Sequence, residues 1–316
     1  MTELSLTARE IGTQPACWRR AARDARGAGS AGSRGLSHFA ENSLPRAGER
    51  VAVTGCGTSW FMAQAYAALR EGTGQGETDA FPASEFPLGR RYDRVLALTR
   101  SGTTTEVLGL LAELAARHRD TPLVVLTADP ASPVLRASRH VAVFDYADEE
   151  SVVQTRFATT ALAFLRAALG EAPGGAEALE AAAAEAEEAL REPLDARLLA
   201  AGQWTFLGGG WAYGLALEAA LKLREASGAW TEAYPAMEYR HGPVAVAAPG
   251  RVVWVLGPAP AGLAAEVAAT GALLVATDRD PQAELLRAQR LAVALAEAAG
   301  LDPDRPRHLT RSVVLP

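Results

Sequence analysis

Cysteine is nearly absent from this chain: Cys17 and Cys56 are the only two in 316 residues. Two thiols without metal-ligand spacing exclude a disulfide framework and a cysteine-based metal site. Clustered basic charge is missing too. Lys and Arg number 31 against 37 Asp and Glu, a net charge of −6, and they are scattered; nucleic acid is therefore not an expected partner. No apolar stretch reaches the length of a membrane span without a charge or a glycine, and the opening MTELSLTARE has no apolar core behind a basic start. Neither a membrane partner nor export is expected, and a reducing cytoplasm is the natural setting. What remains is ordinary for a globular protein: 49% hydrophobic and 22% charged residues, in a chain long enough for two domains.

Short apolar runs alternate with longer helical stretches. VAVTG (51–55) precedes a helix to about 71, and VLALT (95–99) one from about 104 to 117. PLVVLTA (122–128) leads to VAVF (141–144) and a helix near 157–169. Buried β-runs alternating with helices predict an α/β fold with a parallel sheet. The Gly/Ser/Ala-rich stretch 25–35 reads as a flexible linker after a short N-terminal helix. Residues 176–191, rich in Ala and Glu, read as a connector helix ending at Pro193.

The alternation then restarts with QWTFLGGG (203–210), VVWVLG (252–257) and ALLVAT (272–277). Gly55-x-Gly57 aligns with Gly208-x-Gly210, and Leu69-Arg70-Glu71 with Leu223-Arg224-Glu225. A repeat this long is a duplicated domain rather than a solenoid unit. The expected boundaries are an N-terminal helical segment (1–30), a first α/β domain (31–175), a linker helix (176–194) and a second domain with the C-terminal tail (195–316). The two halves are expected to be related by a pseudo-two-fold.

Gly57, Thr58 and Ser59 stand between a strand and a helix. There the free N–H groups and the positive end of the helix dipole suit an oxyanion. Thr99, Arg100, Ser101, Thr103 and Thr104 surround a glycine at the next strand-to-helix junction. Neutral hydroxyl and amide donors fit a phosphate monoester, and Arg100 adds charge. Helix capping explains either segment alone, since Ser or Thr followed three residues on by an acid is a common N-cap pattern. Two on adjacent strand ends favour phosphate binding.

These strings carry a resemblance. GCGTS, TRSGTTTEV and TRFATTALAFL (155–165) resemble the sugar isomerase (SIS) domain, a five-stranded parallel α/β unit that binds phosphosugars. FLGGGWAYGLALEAALKLREASGAWTEAYPAMEYRHGPVAV (206–246) is similar to the isomerase module of glucosamine-6-phosphate synthase, which has two tandem SIS domains. REIGTQP (9–15) and GLDPDRPRHLTRSVVLP (300–316) resemble the ends of that module, so the likeness spans nearly the whole chain. It implies two tandem five-stranded SIS domains.

Glu218, Lys222 and Glu225 lie at i, i+4 and i+7, within about 60° on the helix wheel. An ion pair on a solvated face accounts for such a stripe. The resemblance implies more: Glu225 matches the carboxylate that shuttles a proton between C1 and C2, with Lys222 and Glu218 lining the site. It also implies that His241 opens the sugar ring, a task suited to an imidazole titrating near neutrality. In the family this histidine reaches the partner subunit's site, which implies a homodimer. No metal or redox cofactor is required by that chemistry, and no ligand cluster suggests one.

Three departures from the synthase stand out. Arg311 replaces a tail lysine able to form an imine, which arginine cannot do. Gln154-Thr155-Arg156 replaces a Ser-Thr-Lys run, and Thr99-Arg100 replaces Ser-Gln. With no counterpart of the glutaminase domain, these point away from glutamine-dependent synthesis. The leading expectation is an aminosugar-6-phosphate deaminase/isomerase that forms fructose 6-phosphate and ammonia. A fructosamine-6-phosphate deglycase follows, and a non-catalytic phosphosugar-binding regulator is the alternative of another class. On each, the first half holds the phosphate; in the enzymes the second supplies the catalysis.

Overall fold

The computed structural model describes residues 4–27, 33–170 and 174–315. Helices α1 (Leu6–Ala25) and α2 (Ser33–Ser43) precede β1 (Val51–Gly55), α3 (Thr58–Gly72), β2 (Thr78–Pro82), β3 (Arg94–Leu98) and α4 (Thr105–Arg117). Then come β4 (Leu123–Thr127), β5 (His140–Val143), α5 (Arg156–Ala168), α6 (Ala176–Arg191) and the single turn α7 (Ala196–Leu199). The remainder is β6 (Gln203–Gly208), α8 (Ala212–Ser227), β7 (Thr231–Pro235), β8 (Arg251–Leu256), α9 (Leu263–Thr270), β9 (Leu273–Ala276) and α10 (Pro281–Ala298).

Two parallel sheets result, ordered β2-β1-β3-β4-β5 and β7-β6-β8-β9. The apolar runs at β1, β3, β4 and β6 are buried at every position. That burial is what a sheet with helices on both faces demands of its central strands. Strands β2 (TDAFP) and β7 (TEAYP) carried no such signal. Each buries only its first threonine, lies at a sheet edge and ends on a proline that an edge tolerates.

The chain divides into two compact units. The first-sheet unit comprises Ala16–Glu150, Gln154–Glu180 and Thr310–Pro316; the second-sheet unit comprises Met1–Pro15, Ser151–Val153 and Ala181–Leu309. Several expectations need correction. The second sheet has four strands, not five, because only four residues separate β9 from α10. Asp280 caps α10 by accepting from Gln282 N, and Pro281 opens it, so no chain is left there for another strand. The tail from Thr310 belongs to the first-sheet unit, not the second, because it hydrogen-bonds the start of α4. Of the linker expected at 25–35, residues 28–32 lie outside the described ones, and Ser33 already begins α2. Helix α6 carries the expected alanine face inward: Ala182, Ala183, Ala186 and Ala189 are fully buried.

The strand–glycine–helix turns of the two units share local geometry. Gly57 and Gly210 adopt φ of 53° and 54°, a region that favours glycine. A Cβ on Gly55 would lie 2.7 Å from Ser59 Cβ, and one on Gly208 only 2.3 Å from the Ala212 carbonyl oxygen. Arg70 Nη1 donates to Thr78 Oγ1 at 2.7 Å, and Arg224 Nη1 to Thr231 Oγ1 at 3.1 Å. Each arginine pins the end of a helix to the strand that follows it.

Candidate functional site

In the first-sheet unit, β1 and β3 are neighbours although β2 lies between them in sequence. The order reverses at this pair, so the turns leaving β1 and β3 open side by side at the carboxyl edge of the sheet. Open α/β sheets bind ligands at such switch points. Gly57 is the N-cap of α3 and Thr104 the N-cap of α4, and neither helix has a side-chain cap hydrogen bond. Capping therefore does not use the Thr104 hydroxyl. Thr58 and Ser59 form the first turn of α3 and are buried.

Ser59, Thr99, Arg100, Ser101, Thr104, Gln154 and Arg311 share the wall of one small cavity of about 40 Å³, together with Cys56. Seven residues singled out from sequence are thus brought together. Thr103 is not on that wall; its Oγ1 donates to Ser101 Oγ at 2.8 Å and lies 2.8 Å from Ser312 Oγ. Gln154 Nε2 reaches Ser59 Oγ at 3.5 Å. Thr99 Oγ1 and Ser132 Oγ are buried without a hydrogen-bond partner among the described residues. An unmet buried hydroxyl costs about 1–3 kcal/mol, which a ligand oxygen offsets. Gly102, at φ 60°, lets the loop pass close to Ser132: a Cβ there would sit 2.5 Å from Ser132 Oγ.

Arg100 is buried, with Nη1 3.8 Å from Glu149 and Nη2 donating to the Arg311 carbonyl at 2.6 Å. Arg311 itself pairs with Asp148 at 2.5 Å. Glu149 accepts from Thr155 N and Arg156 N at 2.6 Å each, so it caps α5 while facing Arg100. Neither Asp148 nor Glu149 was singled out from the sequence. Their signal was an acidic run ahead of a helix, which reads as an ordinary cap. Burial pushes the Cys56 thiol up to about 11, with the Glu106 carboxylate adding to it.

In the second-sheet unit, α8 packs against α10, β6 and β7, which removes its charged stripe from water. Glu218 and Lys222 are each 1% exposed, and Lys222 Nζ lies 3.5 Å from Glu218 Oε1. The same ammonium donates to Glu225 Oε2. A solvated ion pair is therefore not the description of this stripe. Glu225 is 19% exposed and lines a cavity of about 330 Å³, opposite the segment that follows α10. Its counterpart in the first half, Glu71, accepts a hydrogen bond from Thr78 N at 2.7 Å and is tied to the sheet. Glu225 is bonded to a buried lysine instead, and faces open space. His241 is exposed at the end of a short 3-10 turn and is not part of that cavity wall.

A parallel sheet with a hydroxyl-lined switch point defines an open α/β domain with a ligand-binding crevice at its carboxyl edge. Residues 44–169 match the family model of the SIS domain. The chain is also related to the isomerizing glutamine–fructose-6-phosphate aminotransferases. The enzyme of Methanothermobacter thermautotrophicus is 29% identical over 309 residues, covering 84% of this chain and 52% of its own. This chain thus spans about half the length of those relatives. Among solved structures, glucosamine-6-phosphate deaminase from Thermotoga maritima matches with a TM-score of 0.78 and 27% identity, covering 98% of this chain and all of that one. The tagatose-6-phosphate ketose/aldose isomerase of Escherichia coli shares the fold at a TM-score of 0.78 and 19% identity. No helix among the described residues is long and apolar enough to cross a membrane.

Proposed function

We propose that this chain is a phosphosugar aldose–ketose isomerase built of two tandem SIS domains. Its substrate is an aminosugar 6-phosphate, deaminated to fructose 6-phosphate. One observation carries the reading: Glu225, a carboxylate bonded to a buried lysine, sits on a cavity wall in a chain that aligns end to end with a glucosamine-6-phosphate deaminase.

The first-sheet cradle takes the phosphate through Ser59, Thr99, Ser101, Thr103 and Thr104, with Arg100 and Arg311 supplying positive charge. His241 moves the ring-opening proton, acting in the partner subunit's site of a homodimer. Glu225 then removes the proton from C2 of the open-chain aminoaldose. The electron pair moves into C1–C2 and forms an enolamine, and a proton delivered to C1 leaves the C2 imine of fructose 6-phosphate. Water hydrolyses this imine, releasing ammonia. Lys222, hydrogen-bonded to Glu225, holds that carboxylate in place throughout.

The test is release of ammonia and fructose 6-phosphate from glucosamine 6-phosphate by the purified chain. If the sugar phosphate binds but is recovered unchanged, the enzymatic reading fails and a phosphosugar-binding regulator replaces it.

A further inference from the structure

The first sheet has polar chemistry at both of its edges. A cavity of about 570 Å³ opens at the amino edge, where α4 finishes and where β4 and β5 begin. Strand β4 is five residues long, so at about 3.3 Å per residue this edge lies roughly 16 Å from the carboxyl edge. Helix α4 spans the interval, with Thr104 capping its start and His118 closing its end.

Arg119 stands just beyond α4, and Arg136 and Arg139 precede β5. All three are exposed and line the cavity. None of their side chains has a hydrogen-bond or ion-pair partner among the described residues. Nearby arginines are committed: Arg94, at the start of β3, is held by Glu49 at 2.9 Å, and Arg117 by Glu113 at 2.7 Å. Asp120 is the one carboxylate on the cavity wall among the described residues. An excess of guanidinium groups thus faces this cavity in a chain of net charge −6. Strands β4 and β5 are paired, so the cations stand on two adjacent supports about 4.8 Å apart.

His118, on the same wall, is only 9% exposed. Its Nε2 lies 2.8 Å from the Leu88 carbonyl, which can only accept, so Nε2 carries the hydrogen. Nδ1 is buried without a hydrogen-bond partner among the described residues. A phosphate satisfies such a nitrogen in either form. A protonated phosphate oxygen donates to the neutral ring, and an ionised one accepts from the imidazolium.

We propose that this cavity is a diphosphate-binding site, separate from the hydroxyl-lined cavity at the opposite edge. A guanidinium fork grips a phosphate through two parallel hydrogen bonds. Three forks on two adjacent supports exceed what a single phosphate needs and match two linked ones. About 570 Å³ lies within the ~300–1,000 Å³ range of small-ligand sites. Pro122, Leu123 and Ala137 add an apolar wall for an organic group carried by the diphosphate. The isomerase reading is not needed for this site, since it uses neither the phosphate cradle nor α8.

Calorimetry on the full chain, in about 0.15 M chloride, compares pyrophosphate with orthophosphate and citrate. Pyrophosphate is expected to bind at least about tenfold more tightly than either. The Arg136→Gln/Arg139→Gln variant is expected to lose about tenfold or more of that affinity. Arg23→Gln/Arg26→Gln, which removes the same charge from exposed positions of α1, is expected to leave it unchanged. Ring resonances of His118, assigned with His118→Gln, are expected to shift with pyrophosphate in the full chain and not in the Arg136/Arg139 variant. Thermal melts check that the variants fold. ADP binding more tightly than pyrophosphate assigns the site to an organic diphosphate; the reverse order assigns it to the free anion. Equal binding of orthophosphate or citrate overturns the proposal. So does affinity that survives the Arg136/Arg139 substitutions or falls equally in the α1 control. A short single-stranded RNA that binds more tightly than pyrophosphate also overturns it, as a nucleic-acid surface. No outcome depends on turnover, so this site and the isomerase reading fail independently.

Discussion

Glu71 and Glu225 each close a Leu-Arg-Glu triplet, yet their surroundings differ. Glu71 is bonded to the backbone of β2, whereas Glu225 is bonded to Lys222 and faces a cavity. Replacing Glu225 by Gln keeps the shape and removes the base. Turnover is expected to fall by roughly 10³-fold or more, while calorimetry shows phosphosugar binding retained. Lys222→Met separates stability from chemistry differently. It leaves the buried Glu218 without its lysine, and chemical denaturation is expected to report a loss of about 3–5 kcal/mol. The double variant Glu218→Gln/Lys222→Met recovers most of that stability without recovering activity. Cys56 offers a readout at the small hydroxyl-lined cavity. Its thiol, raised to about 11, stays protonated near neutral pH. Alkylation followed by mass spectrometry is expected to be slow there and to climb roughly tenfold per pH unit until near that value. Fast labelling of Cys56 near neutral pH contradicts this. The carboxylate and lysine were legible because their helical spacing put them on one face. Burial was not legible, because it is conferred by α10, about 60 residues further along the chain.

At the scale of elements, the strand–glycine–helix turns were readable because each needs a backbone that few residues adopt. Gly208 is the more constrained, since a methyl group there meets the backbone of α8 at 2.3 Å. Gly208→Ala is expected to cost about 2–3 kcal/mol and lower the melting temperature by several degrees. Gly57→Ala tests the φ of 53° separately, because no atom crowds that position. The edge strands β2 and β7 were not legible, since their polar, proline-ended sequences lack both alternation and a full apolar run. Nor was the route of the tail. Val313 O accepts from Thr105 N at 3.1 Å, and Leu315 N donates to Thr105 Oγ1 at 2.9 Å. Those contacts join residues about 210 positions apart, a pairing that no local pattern encodes. Asp148 and Glu149 were missed for a related reason: an acid before a helix looks the same whether or not an arginine faces it.

For the whole molecule, a ligand held by the folded chain alone raises its stability by about 2.7 kcal/mol at one hundred times Kd. Glucosamine 6-phosphate is expected to raise the melting temperature, and unphosphorylated glucosamine to leave it unchanged, if the proposed cradle anchors the phosphate. An equal shift with both sugars contradicts a phosphate anchor. The α/β class and the repeat of glycine turns were visible from the sequence, but the discontinuity of each unit was not. Asp304 makes that discontinuity concrete. Its carboxylate holds the first turn of α1, and the bonded residues are 298 positions apart in sequence. Synthesis of Leu6 precedes that of Asp304 by 298 residues. The second-sheet unit therefore cannot complete its packing until Asp304 has emerged, and the first turn of α1 waits for this acceptor while the whole first sheet is being made.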